Sequence, residues 1–177
     1  MIHIYKKIKL FLSYHLIDKW NFTYFKIKID DFNVKIPKIG ISYKIASIKD
    51  VKKIKQDIYP NLNGYGSKDK KYLENPNKAV IILGEKNKKI VHYFIFFRNA
   101  ILSPLNKLPI NKKYLNKNFS YLGSTFTVPA ERGLWVTPCS LSFIFKFLKK
   151  ENSKSEILLL VHNDTPGAIK FYEKMGF

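Results

Sequence analysis

Apolar residues recur along this chain at two periods, and the switches between them mark out the elements. Ile4, Ile8, Phe11, Leu12 and Leu16 fall on one helical face with lysines opposite, which predicts an amphipathic helix. Phe25-Lys-Ile-Lys-Ile29 and Phe32-Asn-Val-Lys-Ile36 then alternate with period two around Asp30-Asp31. They predict a hairpin, or two strands that join a neighbouring sheet. Pro37 punctuates, so residues 1–40 read as an N-terminal helix–hairpin extension and 41–177 as the main domain.

Ile41 to Ala46 reads as a strand. Ser47 can cap a helix running to about Tyr59, with the Asp50 carboxylate reaching back as in a capping box. Residues 60–77 are polar loop with one short helix near Lys70 to Leu73. Lys78 to Gly84 and Lys89 to Phe97 predict two strands around a turn at Glu85 to Lys88. Residues 98–118 are irregular, Phe119 to Val128 is a strand, and Pro129 ends it. Leu141 to Lys150 is apolar almost all round, as a buried helix is. Glu156 to Val161 is an unbroken apolar run, the mark of a strand covered on both faces. The last helix has Thr165 as N-cap, Pro166 at its first position and Gly176 just past its end.

Composition narrows the class. The chain has 177 residues, 46% hydrophobic and 15% aromatic, enough for a substantial core. A net charge of +19 points first to nucleic acid. Yet the only arginines are Arg98 and Arg132, and the lysines are scattered among Ile, Asn, Phe and Tyr, a set with A- and T-rich codons. A basic rim that attracts an anionic cofactor or substrate is the favoured consequence, and nucleic acid is not the expected partner. The single cysteine, Cys139, excludes an internal disulfide, reads as a small core residue and fits a reducing cytoplasm. No apolar run reaches the length of a membrane span, and the stretch from Leu10 to Ile17 lacks a signal-peptide cleavage site. His3, His15 and His162 show no metal-ligand spacing, so no metal is expected.

The chemistry concentrates in the last fifteen residues, Asn163-Asp-Thr-Pro-Gly-Ala-Ile-Lys-Phe-Tyr-Glu-Lys-Met-Gly-Phe177. As local structure they are a strand exit and a short capped helix, the layout on which α/β ligand sites are built. Asn163 is a turn former and Tyr172 an aromatic with a polar tip. The order of Asn, Ala and Phe-Tyr-Glu-Lys-x-Gly-Phe resembles the C-terminal motif of the GNAT superfamily of acyl-CoA-dependent acyltransferases. Tyr-Lys-Ile-Ala-Ser-Ile-Lys-Asp-Val51 resembles the first strand and helix of that fold. The resemblance implies an α/β (α+β) fold, a mixed and partly splayed sheet flanked by helices. It also implies an N-acetyltransferase activity with acetyl-CoA as co-substrate. Family members carry one more strand after the Gly-Phe, so an open sheet edge is expected at β-strand 156–161. A partner, the N-terminal hairpin or a second copy in a homodimer would cover it.

A second motif runs from Val128 through Pro-Ala-Glu-Arg-Gly-Leu-Trp-Val-Thr-Pro-Cys-Ser to Leu141. In the family this turn and helix N-terminus cradle the coenzyme A pyrophosphate, where free amides and the helix dipole favour phosphate. The resemblance therefore assigns cofactor contact to Thr127, Val128, Arg132, Gly133, Leu134, Trp135, Val136 and Thr137, with Asn163 and Ala168 on the pantetheine side. It assigns Tyr172 the proton delivered to the coenzyme A thiolate. Trp135 and Thr137 stand where the pattern has small residues; Thr137 can cap the helix, with Pro138 at its first position. The acceptor would be a small molecule's amine or hydroxyl, an amino sugar for example. His92, Tyr121, Ser124 or a bound water are equal candidates for the base. A different class of reading is a catalytically silent GNAT-like module that binds a protein or peptide, which the altered turn supports.

Overall fold

The computed structural model describes residues 22–61, 69–107, 118–133, 135–151, 153 and 156–177. Within these stand six strands: β1 (Phe22–Lys28), β2 (Ser42–Ile45), β3 (Ala79–Lys86), β4 (Lys89–Phe97), β5 (Phe119–Thr127) and β6 (Glu156–His162). The helices are α1 (Val51–Asp57), α2 (Asp69–Leu73), α3 (Val136–Lys150) and α4 (Pro166–Lys174). One sheet has the order β1-β6-β5-β4-β3-β2, parallel only between β5 and β6. The helix expected from Ile4 to Leu16 lies outside the described residues.

Alternation along the strands divides the core. Val80 and Ile82 of β3 and Phe94 and Phe96 of β4 face α3 through Leu141, Ile144 and Phe145. Their neighbours Ile81, Leu83, Tyr93, Ile95 and Phe97 face α1 and α2 through Ile54, Ile58 and Tyr72. The sheet is therefore covered on both sides, which is why its central strands read as unbroken apolar runs. The β3–β4 turn is tighter than Glu85 to Lys88: Asn87 and Lys88 both take positive φ, 51° and 62°, as a two-residue hairpin turn requires. The Ser47–Asp50 capping box is present, with the Ser47 amide donating to Asp50 Oδ2 at 2.8 Å.

The N-terminal strand settles the open edge. β1 pairs antiparallel with β6 along its whole length, from Phe22 opposite His162 to Lys28 opposite Glu156. The edge of β6 is thus taken by the chain itself, leaving β1 and β2 as the outer strands of the sheet. The second strand expected at Phe32 to Ile36 is not one. A 3-10 turn at Ile29–Asp31 interrupts the strand, and among the described residues the segment after it pairs with no strand and packs on α3. Residues 32–41 instead form a strap against α3: Phe32 stacks on Phe145 at 4.1 Å between centroids, and the Pro37 carbonyl meets Cys139 Sγ.

Two features open the sheet at one end. β5 and β6 are paired only from Phe119–Glu156 to Leu122–Leu159. Just beyond, the β4–β5 register slips, so that Gly123 and Ser124 stand opposite Ile95 alone. Such a bulge bends its strand. Gly123 is needed there, because a Cβ would lie 2.8 Å from the Phe97 ring. Past the bulge β5 is no longer paired with β6, and a cleft lies between the end of β5 and helix α4.

Candidate active site

The cleft has a volume of about 1170 Å³, larger than most small-ligand pockets and suited to an extended molecule. One wall is the end of β5 (Thr125 to Thr127) with the turn and first residues of α3; the other is α4, through Ala168, Phe171 and Tyr172. Val34 of the strap closes the space between the helices.

Two residues of the turn into α3 take left-handed backbone, Gly133 with φ +78° and Trp135 with φ +61°. Helix α3 starts at Val136, earlier than expected: Trp135 is the N-cap and Thr137 and Pro138 lie inside the first turn. This is tolerated because the first-turn amides have no carbonyl to bond within the helix, so Pro138 forfeits nothing there. The Trp135 carbonyl accepts the first helical bond, from the Cys139 amide at 3.0 Å. The amides of Val136 and Thr137 remain at the positive end of the helix dipole. Arg132 is held beside them, its Nε donating to the Thr127 carbonyl at 3.1 Å and its guanidinium lying 5.8 Å from the Phe126 ring. Arg132 and Lys174 are the charged residues lining the cleft among those described, and no carboxylate does. Pro138 withdraws one donor and Trp135, half exposed, adds bulk at the mouth.

Of the residues implied for cofactor contact, the structure brings together Thr127, Arg132, Gly133, Trp135, Val136, Thr137 and Ala168, with Tyr172 among them. Val128 points elsewhere, packing with the α1–α2 side of the core while its amide donates to Val91. Asn163 is exposed in the turn after β6, its carboxamide oxygen accepting from the Thr23 hydroxyl at 2.7 Å, and it does not line the cleft. Leu134 lies outside the described residues. Thr165 begins α4, but its hydroxyl donates back to the His162 carbonyl and does not cap the helix.

Tyr172 sits within an aromatic cluster, 5.5 Å from Phe177, 5.0 Å from Phe171 and 6.0 Å from Phe25. Burial pushes its phenol up to about 12, so it keeps its proton at neutral pH. Tyr121 is likewise pushed up to about 12, first by burial and then by the nearby Tyr172. Ser124 is exposed on the bulge. His92 is fully buried, with both ring nitrogens engaged by Thr127 and Ser140, which removes it from contact with any substrate. Val34, Phe171 and Lys174 line the cleft without having been singled out by sequence. Helical spacing from Ala168 could have placed Phe171, three residues on, and Lys174, three further, on the same face. Nothing local marks Val34.

No family profile and no curated protein sequence matches the chain. Solved structures do. One is a ribosomal-protein-alanine N-acetyltransferase from Brucella melitensis biovar Abortus 2308, with TM-score 0.56 and 11% identity over 77% of this chain and 90% of that one. Another is a predicted acetyltransferase from Clostridium acetobutylicum solved with acetyl-CoA, with TM-score 0.51 and 19% identity over 75% and 88%. A third is an aminoglycoside acetyltransferase from an uncultured soil metagenomic sample, in complex with trehalose, with TM-score 0.57 and 12% identity over 77% and 87%. These likenesses are of fold, and the chain's six-stranded mixed sheet flanked by helices is the GNAT acetyltransferase fold.

Proposed function

We propose that this protein is an acyl-CoA-dependent acyltransferase that moves an acetyl group from acetyl-CoA to the amine, or hydroxyl, of a small molecule such as an amino sugar. One observation carries the reading: the cleft between the end of β5 and helix α4 is flanked at once by the N-terminus of α3, with Arg132 beside it, and by a protonated phenol, Tyr172. The Val136 and Thr137 amides with Arg132 would hold the pyrophosphate. Tyr172 would give its phenolic proton to the sulfur as the carbon–sulfur bond breaks and the acceptor's bond to the acyl carbon forms. No carboxylate or exposed imidazole lines the cleft among the described residues, so the acceptor's proton leaves through water. Residues 41–177 make up the catalytic unit, with β1 of the N-terminal extension completing its sheet. The chain would work in the cytoplasm; no helix among the described residues is long and apolar enough to cross a membrane.

The test is release of free coenzyme A thiol from acetyl-CoA over a panel of amino sugars and simple amines. We expect Tyr172→Phe to lower turnover about 100-fold or more while leaving acetyl-CoA affinity within about twofold. Unchanged turnover in that variant would remove Tyr172 from the chemistry. An absence of release with every acceptor, from a chain that still binds acetyl-CoA, would favour the silent binding module.

A further inference from the structure

His92 is buried in the sheet interior, the proposed chemistry leaves it idle, and its surroundings are specific. It occupies a β4 position that neighbours fill with Val91, Tyr93 and Phe94, and it is fully buried. An apolar residue there would serve the core without the cost of a desolvated ring. Nδ1 lies 2.9 Å from Thr127 Oγ1 and Nε2 lies 2.9 Å from Ser140 Oγ. The Ser140 hydroxyl donates its proton to the Thr137 carbonyl at 2.9 Å, so Ser140 accepts from His92. This assigns the ring proton to Nε2 and leaves Nδ1 to accept from the Thr127 hydroxyl. A continuous chain of bonds therefore runs from the end of β5, through the sheet interior, to the first turn of α3.

We propose that His92 is a positioning residue for the anion-binding turn, fixing the first turn of α3 against the end of β5 so that its free amides face the cleft. Tyr43 completes the arrangement from β2: its hydroxyl donates to the Val136 carbonyl at 2.8 Å, and its ring stands 6.2 Å from that of His92. A trans peptide is planar, so a fixed Val136 carbonyl turns the Thr137 N–H the opposite way. Ser140 pins the Thr137 carbonyl as well; Pro138 follows it and has no N–H to aim, so that bond fixes the backbone of the turn and not a further donor. A phosphate site made of backbone amides works only if those amides are already aimed, since each would otherwise be ordered at the ligand's expense. The chain has lost small residues at Trp135 and Thr137, and its anchorage from behind supplies the preorganisation.

This inference rests on the acyltransferase reading, and the test separates the two. Dissociation constants are measured by calorimetry for acetyl-CoA and for S-acetylpantetheine, which carries the thioester arm without the diphosphate. The protein is the full chain, unaltered and as His92→Phe, below the melting temperature of both. We expect His92→Phe to weaken acetyl-CoA at least tenfold and to leave S-acetylpantetheine within twofold. A role confined to stability lowers the melting temperature and leaves the ratio of the two affinities unchanged, which would overturn the proposal. Should His92→Phe fail to fold, Ser140→Ala removes one bond of the same chain, and the same change in ratio, at least threefold, decides. If the unaltered chain does not bind acetyl-CoA, the acyltransferase reading falls and this one with it; if it does and the ratio is unmoved, this one falls alone.

Discussion

Helices α3 and α4 both enter the sheet's open end with a proline in their first turn, yet they are held very differently. The start of α3 is fixed from inside by Tyr43, by Ser140 and by the His92 chain, and Val136, Pro138, Cys139, Ser140 and Leu141 are all buried. The start of α4 has no side-chain cap, and no residue between Pro166 and Lys174 is fully buried; Ala168, Ile169, Phe171 and Tyr172 pack on the core only partly buried, and Met175, just past the helix end, is buried in it. The cleft therefore has one stiff wall, which presents amides and a cation, and one lightly packed wall, which carries Tyr172. Anion binding profits from donors that do not move, whereas a group that follows substrate in and out belongs on the element with the lower local stability.

The comparison breaks most visibly in the core. Ile144→Ala on α3 empties a fully buried site and should cost about 2–5 kcal/mol, whereas Ile169→Ala on α4, half exposed, should cost about 1 kcal/mol or less. Chemical denaturation of both variants checks this, and equal losses would mean that the walls are equally packed. Acid should act on the stiff wall next. Burial holds His92 down to about 4, so the fold prefers the neutral ring and the unfolded chain takes up the extra proton. Stability from this source is complete above about pH 6.5, falls by about 3 kcal/mol as pH drops to about 4, and is level below that. His92→Phe should lose this slope, which a denaturation series between pH 7 and pH 4 would show. The smallest contrast lies in two hydroxyls. Ser140→Ala strands the buried Nε2–H and should cost about 1–3 kcal/mol, while Thr165→Ala, which removes an exposed bond and no cap, should stay within about 0.5 kcal/mol.

The same contrast explains what the sequence disclosed. The strands were legible where both faces are covered, as in β3, β4 and β6, because burial on two sides leaves an apolar run. Tyr172 and its helix were legible because helical spacing and a proline in the first turn are local signals, although the Thr165 cap they suggested is not made. The Phe32–Ile36 segment alternates like a strand, but alternation records only that one side is buried; the partner it found is α3, not another strand. The start of α3 was placed late because Pro138 was given its preferred first position, while burial of Val136 under Tyr43 drew two more residues into the helix. The bulge left one trace, the lone Gly123 inside a strand. The His92 chain and the place of Val34 depend on residues far apart in sequence, and no local pattern carries them.

The central claim is that this cleft takes acetyl-CoA, and the melting temperature of the folded chain with and without millimolar acetyl-CoA tests it most directly. A ligand at about 100 times its dissociation constant adds about 2.7 kcal/mol, which for a chain of this size is a rise of about 5–10 °C. That rise, absent with an equal concentration of adenine, is the predicted result. An unchanged melting temperature in a protein that unfolds cooperatively would contradict it.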